Sequence, residues 1–209
     1  MKPFDLLTFE APLNVPELAC GPVVLRPFRP SDLHLVREAT ADPYIATITS
    51  VPAVYSDDEG RAYIERQHDR ARDGHGYSFV IADSAEPDHA LGSVGLWLRE
   101  IESGRASVGY WLVPSVRGNH VATQALLGLV DFAFDVLAIP RLQLFVEPWN
   151  TASARTAERA GFTREGLLRG WERIHGQQHD AYAYVLLHED RNGPTGSESV
   201  SGSAMESAS

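Results

Sequence analysis

A basic residue and a glycine stand at the start of a helical stretch in the segment VRGNHVATQAL, residues 116–126. The first amides of a helix have no intrahelical acceptor and carry partial positive charge, and a glycine lets this backbone approach an anion closely. Arg117 could add a bidentate contact to a phosphate group. The segment therefore predicts an anion site around Gly118, although an ordinary strand-to-helix turn is the simpler explanation of so short a pattern taken alone.

A second polar group lies in the segment WNTASARTAERAGF, residues 149–162. Asn150 is a residue type that caps helices, and Ser153 falls on the first turn of the helix that would follow. Gly161 is placed to end this helix. Taken alone, the segment predicts no more than a capped surface helix.

The elements that must position these groups alternate in type, which indicates a single mixed α/β domain. Apolar positions at spacings of three and four residues predict the helices, and alternating apolar residues predict the strands. The predicted helices are 31–40, 57–72, one that begins near Asn119, and 151–162. The predicted strands are 21–29, 77–83, 91–100, 106–113, 141–148 and two more around a turn at Gly176.

The ends of the chain differ from this central part in composition. Residues 1–20 contain three prolines and predict an irregular lead-in to a domain at 21–189. Residues 190–209 are rich in serine and glycine and almost free of apolar side chains, so we expect a disordered tail.

The two polar segments, taken in order with their strands and helices, resemble the GNAT superfamily of acyl-CoA-dependent N-acyltransferases over about residues 22–188. PSVRGNHVATQAL resembles the loop that holds the pyrophosphate of acyl-CoA. NTASARTAERAGFTREGLLR resembles the next block of the family and is most similar to its RimJ/RimL branch, which acetylates N-terminal amines of ribosomal proteins. The resemblance implies a central, mostly antiparallel sheet of about seven strands, splayed between the fourth and fifth, with about four helices.

Each binding position of the family loop has a matching residue in this sequence except one. Arg117 takes the basic position of the loop and Ala122 its last small position, but His120 stands where the family has a glycine. A side chain there must point away from the phosphates, or its ring must contribute a positive charge. The residues expected to bind acyl-CoA are Leu112, Val113, Arg117, Gly118, Asn119, His120, Val121, Ala122, Asn150 and Ser153.

The resemblance also implies a mechanism, in which acetyl-CoA transfers its acyl group directly to a primary amine in a ternary complex, without a metal. Amides near Leu112 and Val113 would stabilise the thioester oxygen, and Ser153 would protonate the leaving thiolate. Glu172 falls where related enzymes carry a catalytic glutamate, and Glu147 is the second candidate base. Glu172 is equally well explained as a solvated carboxylate paired with a neighbouring arginine.

The pKa of the acceptor amine limits which class of amine a glutamate base can serve. An α-amino group has a pKa of about 7.7–8.0 and a lysine about 10.4, so only the former has an appreciable neutral fraction at pH 7. A glutamate base therefore suits an N-terminal α-amino group of a protein. Acetylation or succinylation of a small-molecule amine, and acyl-CoA binding without catalysis, remain alternatives.

Composition limits the other function classes. The formal net charge of −10 argues against nucleic acid as a partner, and the single cysteine, Cys20, excludes an internal disulfide or a thiolate metal cluster. His175 and His179 flank a predicted turn and are expected to be surface residues rather than metal ligands. With no signal-peptide pattern and no apolar run of about 18 residues, we expect a cytoplasmic protein that does not contact membranes. The superfamily often forms homodimers, which makes a dimer possible here.

Overall fold

A computed structural model of the chain describes residues 7–192, which form one eight-stranded sheet with helices on both faces. The strand order is β1-β2-β3-β4-β5-β6-β8-β7. The strands are β1 (Leu18–Cys20), β2 (Val23–Arg26), β3 (Gly76–Asp83), β4 (Ala90–Trp97), β5 (Arg105–Leu112), β6 (Arg141–Val146), β7 (Thr163–Ile174) and β8 (Gln177–Leu187). The helices are α1 (Leu33–Thr40), α2 (Pro43–Ile48), α3 (Asp57–Arg72), α4 (Val121–Asp131) and α5 (Thr151–Arg159).

Local sequence explains where the helices on one side of the sheet begin. Ser56 caps α3, because its hydroxyl accepts a hydrogen bond from the Glu59 amide at 3.1 Å. Asp42 caps α2 in the same way, accepting from the Tyr44 amide at 2.9 Å, and Pro43 supplies a first residue that has no amide to satisfy.

Strand alternation gives the sheet two apolar faces, each covered by helices. On β3, Phe79 and Ile81 pack with Leu126 and Leu129 of α4, whereas Val80 packs toward α1 and α3. The same alternation puts Leu142, Leu144 and Val146 of β6 on the α4 side. Gln143, Phe145 and Glu147 therefore face the side of α1–α3.

The sheet opens between β5 and β6, the only parallel pair among its described strands. Their pairing covers just Arg105–Ser107 with Arg141–Gln143, although β5 continues to Leu112 and β6 to Val146. The unpaired halves diverge and leave backbone groups facing a gap. This confirms the splay that the resemblance implied.

The mixed α/β fold is confirmed, with two additions to the predicted elements. The short strand β1 lies inside the lead-in predicted to be irregular, and pairs with Val23–Leu25. The helix α2 was also missed, because its single turn and a half shows no apolar period. Most of the tail predicted to be disordered, residues 193–209, lies outside the described part, and Glu189–Asn192 form a turn of 3₁₀ helix.

Across residues 7–192, none of the helices combines the length and the apolar character needed to cross a bilayer.

Candidate active site

A cavity of about 1170 Å³ follows the gap between β5 and β6. Its lining comes from α2, α3, β4, β5, β6, the start of α5 and the β7–β8 hairpin. Gly118 and Ala122 of the predicted anion loop reach it, as do Ser153, Glu147 and Glu172. The polar groups singled out in distant parts of the sequence therefore share one open space.

The loop before α4 has the backbone of an anion-binding turn. Gly118 has a φ of 85°, and no atom lies within 4 Å of the place where a Cβ would stand. Within residues 7–192, no hydrogen bond engages the amides of Gly118, Asn119 or His120. Val121 and Ala122 follow on the first turn of α4, where amides have no intrahelical partner. The geometry fits a phosphate group held by backbone.

His120 preserves the glycine-like backbone of its position. It has a φ of 59° and a ψ of 6°, in the left-handed region that glycine adopts most easily, and its side chain is exposed. Its carbonyl accepts from the Gln124 amide at 3.0 Å and so opens the helix. His120 therefore differs from the family's glycine in its side chain, whereas its backbone adopts the conformation that a glycine would adopt at this turn.

The Arg117 side chain is partly exposed, lines the cavity and has two partners within the protein. Its Nε and Nη2 donate to the Leu112 carbonyl at 3.1 and 2.9 Å, and Nη2 also lies 2.6 Å from Asp42 Oδ2. Arg117 therefore links the loop to β5 and to the cap of α2, and its contact to phosphate stays a prediction. Burial raises the pKa of Asp42, but hydrogen bonds from Arg117 and the Tyr44 amide outweigh it and hold that pKa below its ordinary value.

Leu112 and Val113 are not equivalent as candidate donors. The Val113 amide donates to the Leu91 carbonyl at 3.1 Å, so it is engaged by β4 and is wrong as a predicted donor. Alternate residues of an antiparallel strand face opposite neighbours, which turns the amides of Leu112 and Tyr110 toward the gap. One predicted donor, Leu112, thus keeps the required orientation.

Asn150 and Ser153 hold positions that the sequence predicted. The Asn150 side chain caps α5 by accepting from the Ser153 amide at 3.1 Å. The Ser153 hydroxyl lies 3.0 Å from the Tyr110 hydroxyl, on the α4–α5 side of the gap. Burial raises the pKa of Tyr110, so its phenol stays protonated at neutral pH.

Glu147 lies across the gap from these hydroxyls and is held from two sides. Tyr44 donates to its Oε2 at 2.9 Å, and His179 Nδ1 lies 3.0 Å from its Oε1. Its side chain is only 12% exposed. Asn150 Nδ2 also donates to the Tyr44 hydroxyl at 3.1 Å, which connects this carboxylate to the helix that carries Ser153.

Glu172 occupies a different environment. It is exposed on β7, pairs with His179 in the β7–β8 register and lines the cavity. No ion pair to Arg169 or Arg173 forms among the described side chains. Both glutamates line the cavity, but only Glu147 is partly buried and fixed by hydrogen bonds.

The sequence did not predict that Tyr44 belongs to the site, and it predicted an exposed hairpin position for His179, which instead contacts a site residue. Asp42-Pro43 is a helix-start signal, a capping residue followed by proline, and it could have placed Tyr44 on a helix. His179 was expected on the surface of a hairpin, yet it contacts Glu147. That contact joins strands β6 and β8, which no local pattern predicts.

In the part of the chain described, no group of three or more His, Cys, Asp or Glu side chains could hold a metal ion.

Comparisons with known proteins agree with this geometry. Residues 23–163 match the acetyltransferase (GNAT) domain. An uncharacterized N-acetyltransferase, p20, from Bacillus licheniformis is 29% identical over 171 residues, which cover 82% of this chain and 96% of that one. RimJ of Mycobacterium smegmatis, solved with a CoA disulfide, superposes with a TM-score of 0.70 at 24% identity, over 86% of this chain and 88% of RimJ. A chimera of the spermidine N-acetyltransferase SpeG from Vibrio cholerae reaches 0.68 at 21% identity, over 83% and 99%.

Proposed function

Because the chain belongs to the GNAT acetyltransferase family and is an acyltransferase, we propose that it transfers an acetyl group from acetyl-CoA to an N-terminal α-amino group of a protein. The observation that carries the proposal is one chain of hydrogen bonds at the sheet gap. It runs from Glu147 through Tyr44 and Asn150 to the first turn of α5, where Ser153 lies. It supplies a base on one face of the sheet and an acid on the other.

The donor substrate, acetyl-CoA, enters from the side of α4 and α5. The amides of Gly118, Asn119 and His120, with the first turn of α4, hold its pyrophosphate. The pantetheine arm lies along the gap-facing edge of β5, where the Leu112 amide donates to the thioester oxygen as negative charge develops on it. Arg117 fixes the Leu112 carbonyl and so positions this edge.

The acceptor enters from the side of α1–α3. Glu147 removes a proton from the ammonium group, directly or through one water, and Tyr44 and His179 hold the carboxylate in place. The neutral amine attacks the thioester carbon, its nitrogen releases a second proton to water, and collapse of the tetrahedral intermediate breaks the C–S bond and expels the CoA thiolate. Ser153 gives this thiolate a proton and recovers one from Tyr110 at 3.0 Å, and Tyr110 takes its proton back from solvent. The structure thus favours Glu147 over Glu172 as the base.

The acceptor class follows from the base. A carboxylate is a modest base, and an α-amino group with a pKa of about 7.7–8.0 needs far less help than a lysine at about 10.4. Resemblance of the second polar segment to the RimJ/RimL branch supports the same class, as does the structural likeness to M. smegmatis RimJ.

The test is a thiol-release assay of the purified protein with acetyl-CoA, using peptides with free N-termini and, as matched acceptors, N-blocked peptides that contain lysine. We expect transfer to the free N-termini only, with loss of transfer in Glu147→Gln. Faster reaction with lysine side chains or with spermidine would contradict the proposed acceptor class. Acetyl-CoA binding with no acetylation of any amine would contradict the enzyme mechanism.

A further inference from the structure

A half-buried arginine lies in the acceptor half of the cavity, away from the hydrogen-bond chain at Glu147. Arg70 of α3 stacks on the Trp97 ring, with its guanidinium carbon 5.0 Å from the ring centroid. It also donates to Gln67 Oε1 at 3.0 Å and to the Ser78 hydroxyl. These neutral contacts orient the guanidinium and leave its charge uncompensated, since no carboxylate within residues 7–192 forms a salt bridge with it.

A second arginine adds to this charge. Arg99 lines the same cavity and is exposed. Burial lowers the pKa of Arg70, and the nearby positive charge of Arg99 lowers it further. Glu100, which follows Arg99 and also lines the cavity, is already bound to Arg105 at 2.6 Å and to Gln143 at 2.6 Å. In a chain of net charge −10, Arg70 and Arg99 thus place two guanidinium groups at this end of the cavity that make no ion pair among the described residues.

Small residues on the sheet beneath these arginines leave room for the Trp97 ring. The Trp97 ring lies flat over Gly95 and Gly109, where an added Cβ would stand 3.1 Å from its atoms. Trp97 pairs with Ser107, which pairs in turn with Gln143, and Glu147 lies four residues farther along β6. At about 3.3 Å per residue along a strand and about 4.8 Å between neighbouring strands, Glu147 lies on the order of 15 Å from Trp97, on which Arg70 stacks.

We propose that Arg70 and Arg99 form an anion subsite for the acceptor, so that the preferred substrate is an amine that carries a carboxylate about two or three peptide residues from the reacting nitrogen. This proposal rests on the proposed function for the position of the amine at Glu147. An extended peptide advances about 3.3–3.6 Å per residue, and the hydrogen bonds at its two ends add about 3 Å each, so the side chain of an aspartate at the third or fourth position reaches the subsite. A carboxylate that binds a guanidinium group increases the affinity for the acceptor and fixes its orientation in the cavity.

The experiment compares two amidated peptides, Ser-Ala-Asp-Ala and Ser-Ala-Asn-Ala, which differ only in one charge. Binding is measured by calorimetry to the full-length protein saturated with CoA, and acetylation by thiol release with acetyl-CoA. We expect the aspartate peptide to bind about tenfold more tightly, with a preference that shrinks as salt rises. In Arg70→Gln and Arg99→Gln the ratio of dissociation constants should fall toward one.

Arg61→Gln is the matched control, because Arg61 lies on α3 outside the cavity and pairs with the exposed Asp58. It removes the same charge from the same helix and should keep the full preference. Equal affinities in the wild-type protein, a preference kept in both subsite variants, or no binding of either peptide would overturn the proposal. A charge preference in binding without acetylation would support the subsite and contradict the proposed function instead. Arg99→Gln keeps the test decisive if loss of Arg70 unfolds the protein.

Discussion

The Tyr44 phenol donates a 2.9 Å hydrogen bond to Glu147 Oε2 across 103 positions of sequence. Burial raises the pKa of Tyr44 above its ordinary value, and the Glu147 carboxylate adds to the rise. The phenol therefore stays protonated and remains a donor at neutral pH. Tyr44 is accordingly a positioning residue, which orients the carboxylate without exchanging protons with the substrate.

The first prediction concerns the base. Glu147→Gln removes the proton acceptor and keeps the shape of the side chain, so kcat should fall about 10²–10³-fold. Tyr44→Phe removes one oriented hydrogen bond and should lower kcat about tenfold, with the KM for acetyl-CoA unchanged. Steady-state thiol release measures both constants. A Tyr44→Phe variant that raised the KM for acetyl-CoA as strongly as it lowered kcat would indicate a structural role.

Glu172→Gln is the matched comparison, since it makes the same chemical change in the other carboxylate of the cavity. We expect it to lower kcat by less than about threefold, because Glu172 is exposed and makes no hydrogen bond among the described side chains. If Glu172→Gln abolished transfer while Glu147→Gln did not, the assignment of the base would be reversed.

The second prediction concerns the leaving group. Ser153 and Tyr110 form one hydroxyl pair, 3.0 Å apart, so they should act as a unit. Ser153→Ala and Tyr110→Phe should each lower kcat about 10–100-fold, and the double variant should lose little more than the worse single one. A double-mutant cycle on kcat measures this coupling. Multiplicative effects would mean that the two hydroxyls serve separate steps.

The residues that the sequence could predict are those whose role is local. The φ of Gly118, the cap at Asn150 and the first turn at Ser153 depend on a few neighbouring positions, and local patterns carry that information. The order of strands and helices followed from periodicity for the same reason.

The contacts that the sequence could not predict join distant elements. Glu147 is fixed by Tyr44 and His179, which come from a helix and a strand far away in the chain. The contacts of Arg117 with Leu112 and Asp42 were not predicted, because periodicity missed α2, the helix whose cap Asp42 lies beside this arginine. Side-chain direction at such positions is decided by tertiary packing.

The third prediction tests that ion pair through its pH dependence. A carboxyl whose pKa is lower in the folded protein contributes stability above its unfolded value, about 3.9, and loses it as the pH falls through the folded value. Arg117→Gln should therefore lower the free energy of unfolding above about pH 4 by up to about 1 kcal/mol, since Arg117 is 46% exposed. Below the lowered pKa of Asp42 the difference should vanish. Urea unfolding from pH 2.5 to 6 measures it, and a difference that grew toward low pH would refute the assignment.

The fourth prediction concerns a fully buried ion pair beneath α1. Arg26 and Asp32 are both 0% exposed and meet through two hydrogen bonds of 2.9 and 2.7 Å. Asp32→Ala leaves the guanidinium buried without its partner, so it should cost about 3–5 kcal/mol of stability. Replacing both residues, as Arg26→Met with Asp32→Leu, should cost less than the single change. Denaturant unfolding decides between them, and a single variant that lost less than about 1 kcal/mol would contradict this account.

The fifth prediction concerns the residue that departs from the family pattern. His120 adopts a φ of 59°, which strains a residue with a Cβ by about 1–3 kcal/mol. His120→Gly removes that strain but adds chain entropy of about 0.5–1 kcal/mol to the unfolded state, so the net gain should be about 1 kcal/mol, or roughly 3 °C in Tm. His120→Ala removes the imidazole and keeps the strain, so it should give no gain. Because backbone amides hold the pyrophosphate, both variants should bind CoA within about threefold of the wild-type protein by calorimetry. Loss of binding in both would make the imidazole itself the anchor of the phosphates.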